Sequence, residues 1–139
     1  MPVRHTRRAL LTTLSSLLLA AALPRSARAA LGRRRGPHPD PRPGIDASRV
    51  LPDSALADWP DALPAFAAVR EIPQIVDGIR CNCGCAGKPG FYSLLSCYEA
   101  EGMARHCPIC QGQARLALRL HAAGKTLDEI RAAIDARYS

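Results

Sequence analysis

The sequence predicts a small all-α domain: a helical bundle carrying a cysteine-rich loop. Three observations carry this. Apolar residues recur at helical spacing after about residue 51, proline and glycine fall where helices start and stop, and no alternating strand pattern or hairpin turn occurs. The 139 residues allow one small domain. They exclude a TIM barrel and a two-half Rossmann enzyme, which need far more chain. Only 4% of the residues are aromatic, so the core must rest on Leu, Ile, Val and Ala. A small domain of that kind is marginal without a staple, either disulfides or a metal.

The chain opens on a predicted export signal, residues 1–29. Arg4, His5, Thr6, Arg7 and Arg8 form a basic start, and an apolar run from Ala9 to Leu23 follows. Ala27-Arg28-Ala29 then reads as a cleavage site of the A-x-A type, with cleavage after Ala29. At 1.5 Å per residue the apolar run spans roughly 22 Å, less than a hydrocarbon core of about 30 Å, so no stable membrane anchor is expected after cleavage. Thr6-Arg7-Arg8-Ala9-Leu10-Leu11 is similar to a twin-arginine signal. No cysteine precedes Cys81, so no lipoprotein anchor is expected at the cleavage site. The expected location is periplasmic or extracellular.

The net charge of +7 raises a nucleic-acid reading, and its distribution removes that reading. Residues 1–29 hold five arginines and no acids, and from Val50 onward nine basic residues face ten acidic ones. Nucleic-acid binding needs positive charge clustered on the domain itself. Residues 30–50 hold four prolines and a run of Arg33, Arg34 and Arg35. They are predicted to be a disordered, solvated linker, His38 included.

The helical domain, 51–139, follows. Ala62, Leu63, Phe66, Ala67 and Val69 predict a short helix with Pro64 in its first turn. Pro73 starts a further turn carrying Ile75, Val76 and Ile79, loosened at Gly78. Trp59 is expected as a plug at the edge of the core. Pro108 fits the first turn of a helix that stops at Gly124 and buries Ile109, Ala114, Leu116, Ala117, Leu118 and Leu120. His121 closes that helix, where a cation is mildly favourable. Thr126-Leu127-Asp128-Glu129 is a capping box, and Leu127, Ile130, Ile134 and Tyr138 then mark one face of a last helix.

The chemistry lies in six cysteines, Cys81, Cys83, Cys85, Cys97, Cys107 and Cys110. Disulfides are the base expectation for an exported chain. The spacing argues against three simple bridges: extended residues two apart lie roughly 6.5–7 Å apart, whereas disulfides prefer Cα separations of about 5.5–6 Å. A metal accepts several thiolates converging at about 2.3 Å each. Gly84 and Gly87 let the backbone curl so that the first three thiols face one point. Cys107 and Cys110 stand one turn apart at a helix start, where the thiolate is favoured. Soft sulfur selects Cu(I), Zn(II) or iron–sulfur clusters. Six thiols exceed one tetrahedral zinc site, so Cu(I) is the predicted ion and Zn(II) the alternative. His106 is a candidate ligand or a donor to one, and Met103 is read as core filler. Glu99 and Glu101 are read as solvated charges, and no acid–base pair, Ser-His-Asp set or phosphate loop is present.

Cys81-Asn82-Cys83-Gly84-Cys85, Gly90 to Tyr98 with Cys97, and His106-Cys107-Pro108-Ile109-Cys110 together resemble the exported bacterial proteins named for a PCYCGC motif. The resemblance covers about residues 65–138. Arg80 stands in place of the motif's proline and Asn82 in place of its tyrosine. It implies an exported, cysteine-rich, metal-binding module; the softness of the ligands adds copper, and with it sequestration or delivery and a copper-handling protein as partner. Two other functions compete. Cys107-Pro108-Ile109-Cys110 has the form of a thiol–disulfide oxidoreductase motif. Gly124 to Tyr138 is similar to the helical end of cytochrome c maturation thiol proteins, which carry one C-x-x-C and no place for the other four cysteines. The third reading is a disulfide-stapled adaptor.

Overall fold

Proline sets where the helices begin. Pro64, Pro73 and Pro108 each lie in a first helical turn, where the missing N–H costs nothing. The computed structural model describes residues 36–100 and 102–139. Among these it has four α-helices and no strand: α1 (Leu63–Glu71), α2 (Pro73–Asp77), α3 (Pro108–Ala122) and α4 (Leu127–Tyr138). Short 3-10 turns at Asp53–Leu56, Pro60–Ala62 and Leu95–Tyr98 complete the order. The export signal, Arg33 to Arg35 and Glu101 lie outside the described residues. No helix among the described residues is long and apolar enough to cross a membrane.

Helix α3 is the centre of the bundle, with α1 and α4 packed on it. Its buried stripe keeps Ala114 and Ala117 of the expected face and adds Cys110 and Gln113, while Ile109 leaves it. Cys110, Gln113, Ala114 and Ala117 are buried, Leu116, Leu118 and Leu120 are half-buried, and Ile109 is exposed. Small residues on α3 let the other helices approach closely, so the large leucines fall to the flanks. Phe66, Val69, Leu94, Leu95, Tyr98, Ile130 and Ile134 fill the space around that stripe. The capping box forms as expected: Thr126 Oγ1 accepts from Glu129 N, and the Glu129 carboxylate accepts from Thr126 N.

Residues 36–50 correct the expectation of a solvated linker, because they lie along the helices through specific polar contacts. Arg42 donates to Asp77 from its backbone N at 2.8 Å, from Nε at 3.1 Å and from Nη2 at 2.7 Å. Ser93 Oγ donates to the same carboxylate at 2.7 Å. Arg131 reaches the carbonyls of Gly78 and Pro39 at 2.8 Å each. His38 is also not solvated: its Nδ1 accepts from Arg80 N at 3.0 Å, so Nε2 carries the proton and donates to Asp135 Oδ2 at 3.1 Å. Burial lowers the His38 pKa, which keeps that neutral tautomer.

Asp77 is fully buried. Burial pushes its pKa up, but the hydrogen bonds from Arg42 and Ser93 outweigh it and hold the pKa below the usual carboxylate range. Asp77→Ala is expected to cost about 2–3 kcal/mol at pH 7, moderated because the Arg42 side chain is 36% exposed. A folded-state pKa below the unfolded value stabilises above about pH 4, and that gain is lost as pH falls through the folded value. Urea unfolding at pH 7 and at pH 3 checks this. The gap between wild type and variant should shrink at the lower pH, and equal stability at pH 7 would refute it.

Candidate metal centre

Three segments bring the thiols together. The first, Cys81 to Cys85, is a tight turn in which Gly84 sits at φ +99°, a region side-chain-bearing residues rarely adopt. A polar clamp fixes this turn from behind. Asn82 N donates to Gln113 Oε1 at 3.0 Å, and Gln113 Nε2 donates to Arg80 O at 3.2 Å. Arg80 Nε donates to Asn82 Oδ1 at 3.0 Å, while Arg80 Nη2 holds Asp135 at 2.6 Å. The second segment is the Leu95–Tyr98 turn carrying Cys97. Tyr98 is fully buried, stacks edge-on against Phe66 and donates its hydroxyl to Cys110 O at 2.8 Å. The third is the start of α3, where Cys107 is the N-cap and its sulfur accepts from Cys110 N at 3.4 Å.

The sulfurs converge on one another. Cys81 and Cys83 are 3.1 Å apart, Cys83 and Cys85 2.9 Å, and Cys81 and Cys110 3.5 Å. These distances are well beyond a disulfide bond of about 2.05 Å, and all six cysteines are free thiols. Three groups have all their sulfurs within 4.8 Å of one another: Cys81, Cys83 and Cys85; Cys81, Cys97 and Cys110; and Cys83, Cys107 and Cys110. A metal with bonds of about 2.3 Å to sulfur in tetrahedral geometry sets its ligands roughly 3.8 Å apart. The cluster could therefore hold a metal ion.

Coupling among the thiols and their burial move their pKa values apart. Hydrogen bonds from Cys110 and then Cys97 push the Cys81 pKa down to about 2 against its burial. Cys110 moves the other way, because its own hydrogen bonds to Cys81 and Cys97 favour the thiol. Burial raises Cys83, helped by Cys85 and Cys81. Cys97 is drawn down by Cys110, but Cys81 and burial outweigh that and raise it. A metal that enters displaces the protons of the thiols it binds.

All six predicted cysteines meet here. His106 does not join them: it is exposed, in none of the three groups, and its ring stands edge-on to Trp59 at 4.7 Å. Trp59 is half-buried against the core, as expected of an edge plug. Met103 packs against the core as expected of filler, and it also sets its Sδ 3.2 Å from Cys85 Sγ and 3.8 Å from Cys83 Sγ. Its signal in the sequence was a second soft sulfur type close to Cys107. Glu99 also departs from a solvated charge, being only 15% exposed and paired with Arg49 at 3.1 Å. His121 is exposed in the last turn of α3.

No protein-family model, curated protein or solved structure matches this chain.

Proposed function

We propose that the protein is an exported soft-metal carrier that holds Cu(I) on clustered thiolates, for sequestration or for delivery to a copper-handling partner. The observation behind this is the meeting of six free thiols in three overlapping three-sulfur groups. Structural zinc takes four ligands in a tetrahedron, whereas each group offers three, a number that suits Cu(I). The Met103 thioether beside Cys83 and Cys85 adds a further soft donor. Export rests on the basic, apolar and A-x-A pattern of residues 1–29. The resemblance to the PCYCGC-motif proteins is in keeping with both. Arg80 and Asn82, which depart from that motif, are the residues that clamp the cysteine turn.

The test is anaerobic purification of the full chain, followed by elemental analysis and a free-thiol count. Copper bound in preference to zinc, with thiols titratable only after metal removal, is the expected result. A metal-free chain with an exchangeable Cys107–Cys110 pair would instead make it a thiol–disulfide oxidoreductase. No metal and no free thiols would leave a stapled adaptor.

A further inference from the structure

We infer that the centre holds three Cu(I) ions as one thiolate-bridged cluster whose most exposed ion, at Cys83, Cys107 and Cys110, is the exchangeable one. This rests on the soft-metal reading above and goes beyond it in nuclearity and in the route of transfer.

The argument starts from how the three groups overlap. The first and second share Cys81, the first and third share Cys83, and the second and third share Cys110. Each remaining cysteine, Cys85, Cys97 or Cys107, belongs to one group only. Three separate three-sulfur sites would need more thiols than the six in the chain. Sharing removes the shortfall: Cys81, Cys83 and Cys110 bridge, and Cys85, Cys97 and Cys107 are terminal. Every ion is then three-coordinate and no thiol is left over. The shared sulfurs also lie within 4.8 Å of one another, since each pair of them belongs to one of the groups. Three ions bound through them must be neighbours.

Burial grades the three positions. Cys81, Cys97 and Cys110 are all buried, at 3%, 1% and 0% exposure. The first group has one half-buried member, Cys83, and the third has two, Cys83 and Cys107. Access therefore runs through the third group, at the N-terminus of α3. Loading is ligand substitution without redox change: each thiol that ligates gives its proton to solvent and Cu(I) stays Cu(I). Unloading reverses it, with the thiolates of an incoming acceptor replacing Cys107, Cys83 and finally Cys110 on the departing ion. Six thiolates and three monovalent cations leave the cluster anionic. The first-turn amides of α3, with Cys107 at its N-cap, face that charge favourably.

The experiment titrates the reduced full chain with Cu(I), supplied anaerobically as its acetonitrile complex. Native mass spectrometry and X-ray absorption follow loading, and a Cu(I)-specific chelator follows release. The expected result is three ions per chain, a metal–metal scattering shell, and one third of the copper leaving at least tenfold faster than the rest. Cys107→Ser keeps an N-cap oxygen, so helicity should persist while the count falls to two and the fast third disappears. Cys97→Ser should lose the inner ion and keep the fast one. One, two or four ions in the wild type, or no metal–metal shell, would overturn the cluster and leave the soft-metal reading standing. Three ions released at a single rate would overturn the exchangeable corner. A full chain that retains no copper would overturn both readings. The wild-type measurements decide these points even if a variant fails to fold.

Discussion

On the proposed Cu(I) cluster, Cys83→Ser is expected to lower bound copper to about one ion per chain while leaving the helices intact. Cys83 belongs to two of the three sulfur groups, and only Cys81, Cys97 and Cys110 form a group without it. Its sulfur lies 3.1 Å from Cys81 and 2.9 Å from Cys85. Serine removes a soft donor that two ions would share, and hard oxygen is a poor substitute for Cu(I). The side chain is half-buried, so its loss opens no large core cavity. Elemental analysis of the variant beside the wild type, with circular dichroism as a fold control, is the measurement. An unchanged metal count would remove the C-x-C-x-C turn from the site.

Gly102→Ala is expected to have the largest effect on folding. Gly102 is buried, and a Cβ there would fall inside the backbone carbonyl of Cys97. That carbonyl already accepts from Ala104 N at 2.9 Å, and Gly102 N donates to Glu99 O at 2.8 Å. A flexible side chain could swing aside, but backbone cannot. The Leu95–Tyr98 turn would have to move, taking Cys97 from its partners and Tyr98 from Cys110 O. A cost on the order of 3–5 kcal/mol follows, enough to lower the melting temperature by more than about 15 °C. Thermal unfolding of the metal-free chain measures it directly. A variant melting within a few degrees of wild type would show that this turn is not tightly held.

The parts of the fold legible in the sequence were those governed by neighbours along the chain. Pro64, Pro73 and Pro108 mark helix starts through their own missing N–H, and Thr126 with Glu129 caps α4 within one turn. The cysteine cluster was legible because chemistry and spacing point the same way. What the sequence hid depends on distant partners. His38 meets Asp135 across 97 positions, and Arg42 meets Asp77 across 35. A proline-rich segment therefore read as tether where it is bound. The expected face of α3 holds at Ala114 and Ala117 and fails at Ile109, because spacing along one helix does not show which of its flanks a neighbour covers. Met103 meets Cys85 while His106 turns to Trp59, because only the folded turn decides which of them faces the cluster.

The chain contains one tryptophan, and the fold places it beside the mouth of the sulfur centre. Trp59 contacts His106, the residue before Cys107, and lies under the Arg105 guanidinium at 5.3 Å. Any shift of the start of α3 changes the surroundings of that single indole. Intrinsic fluorescence is therefore expected to report such a shift without a label or a tag.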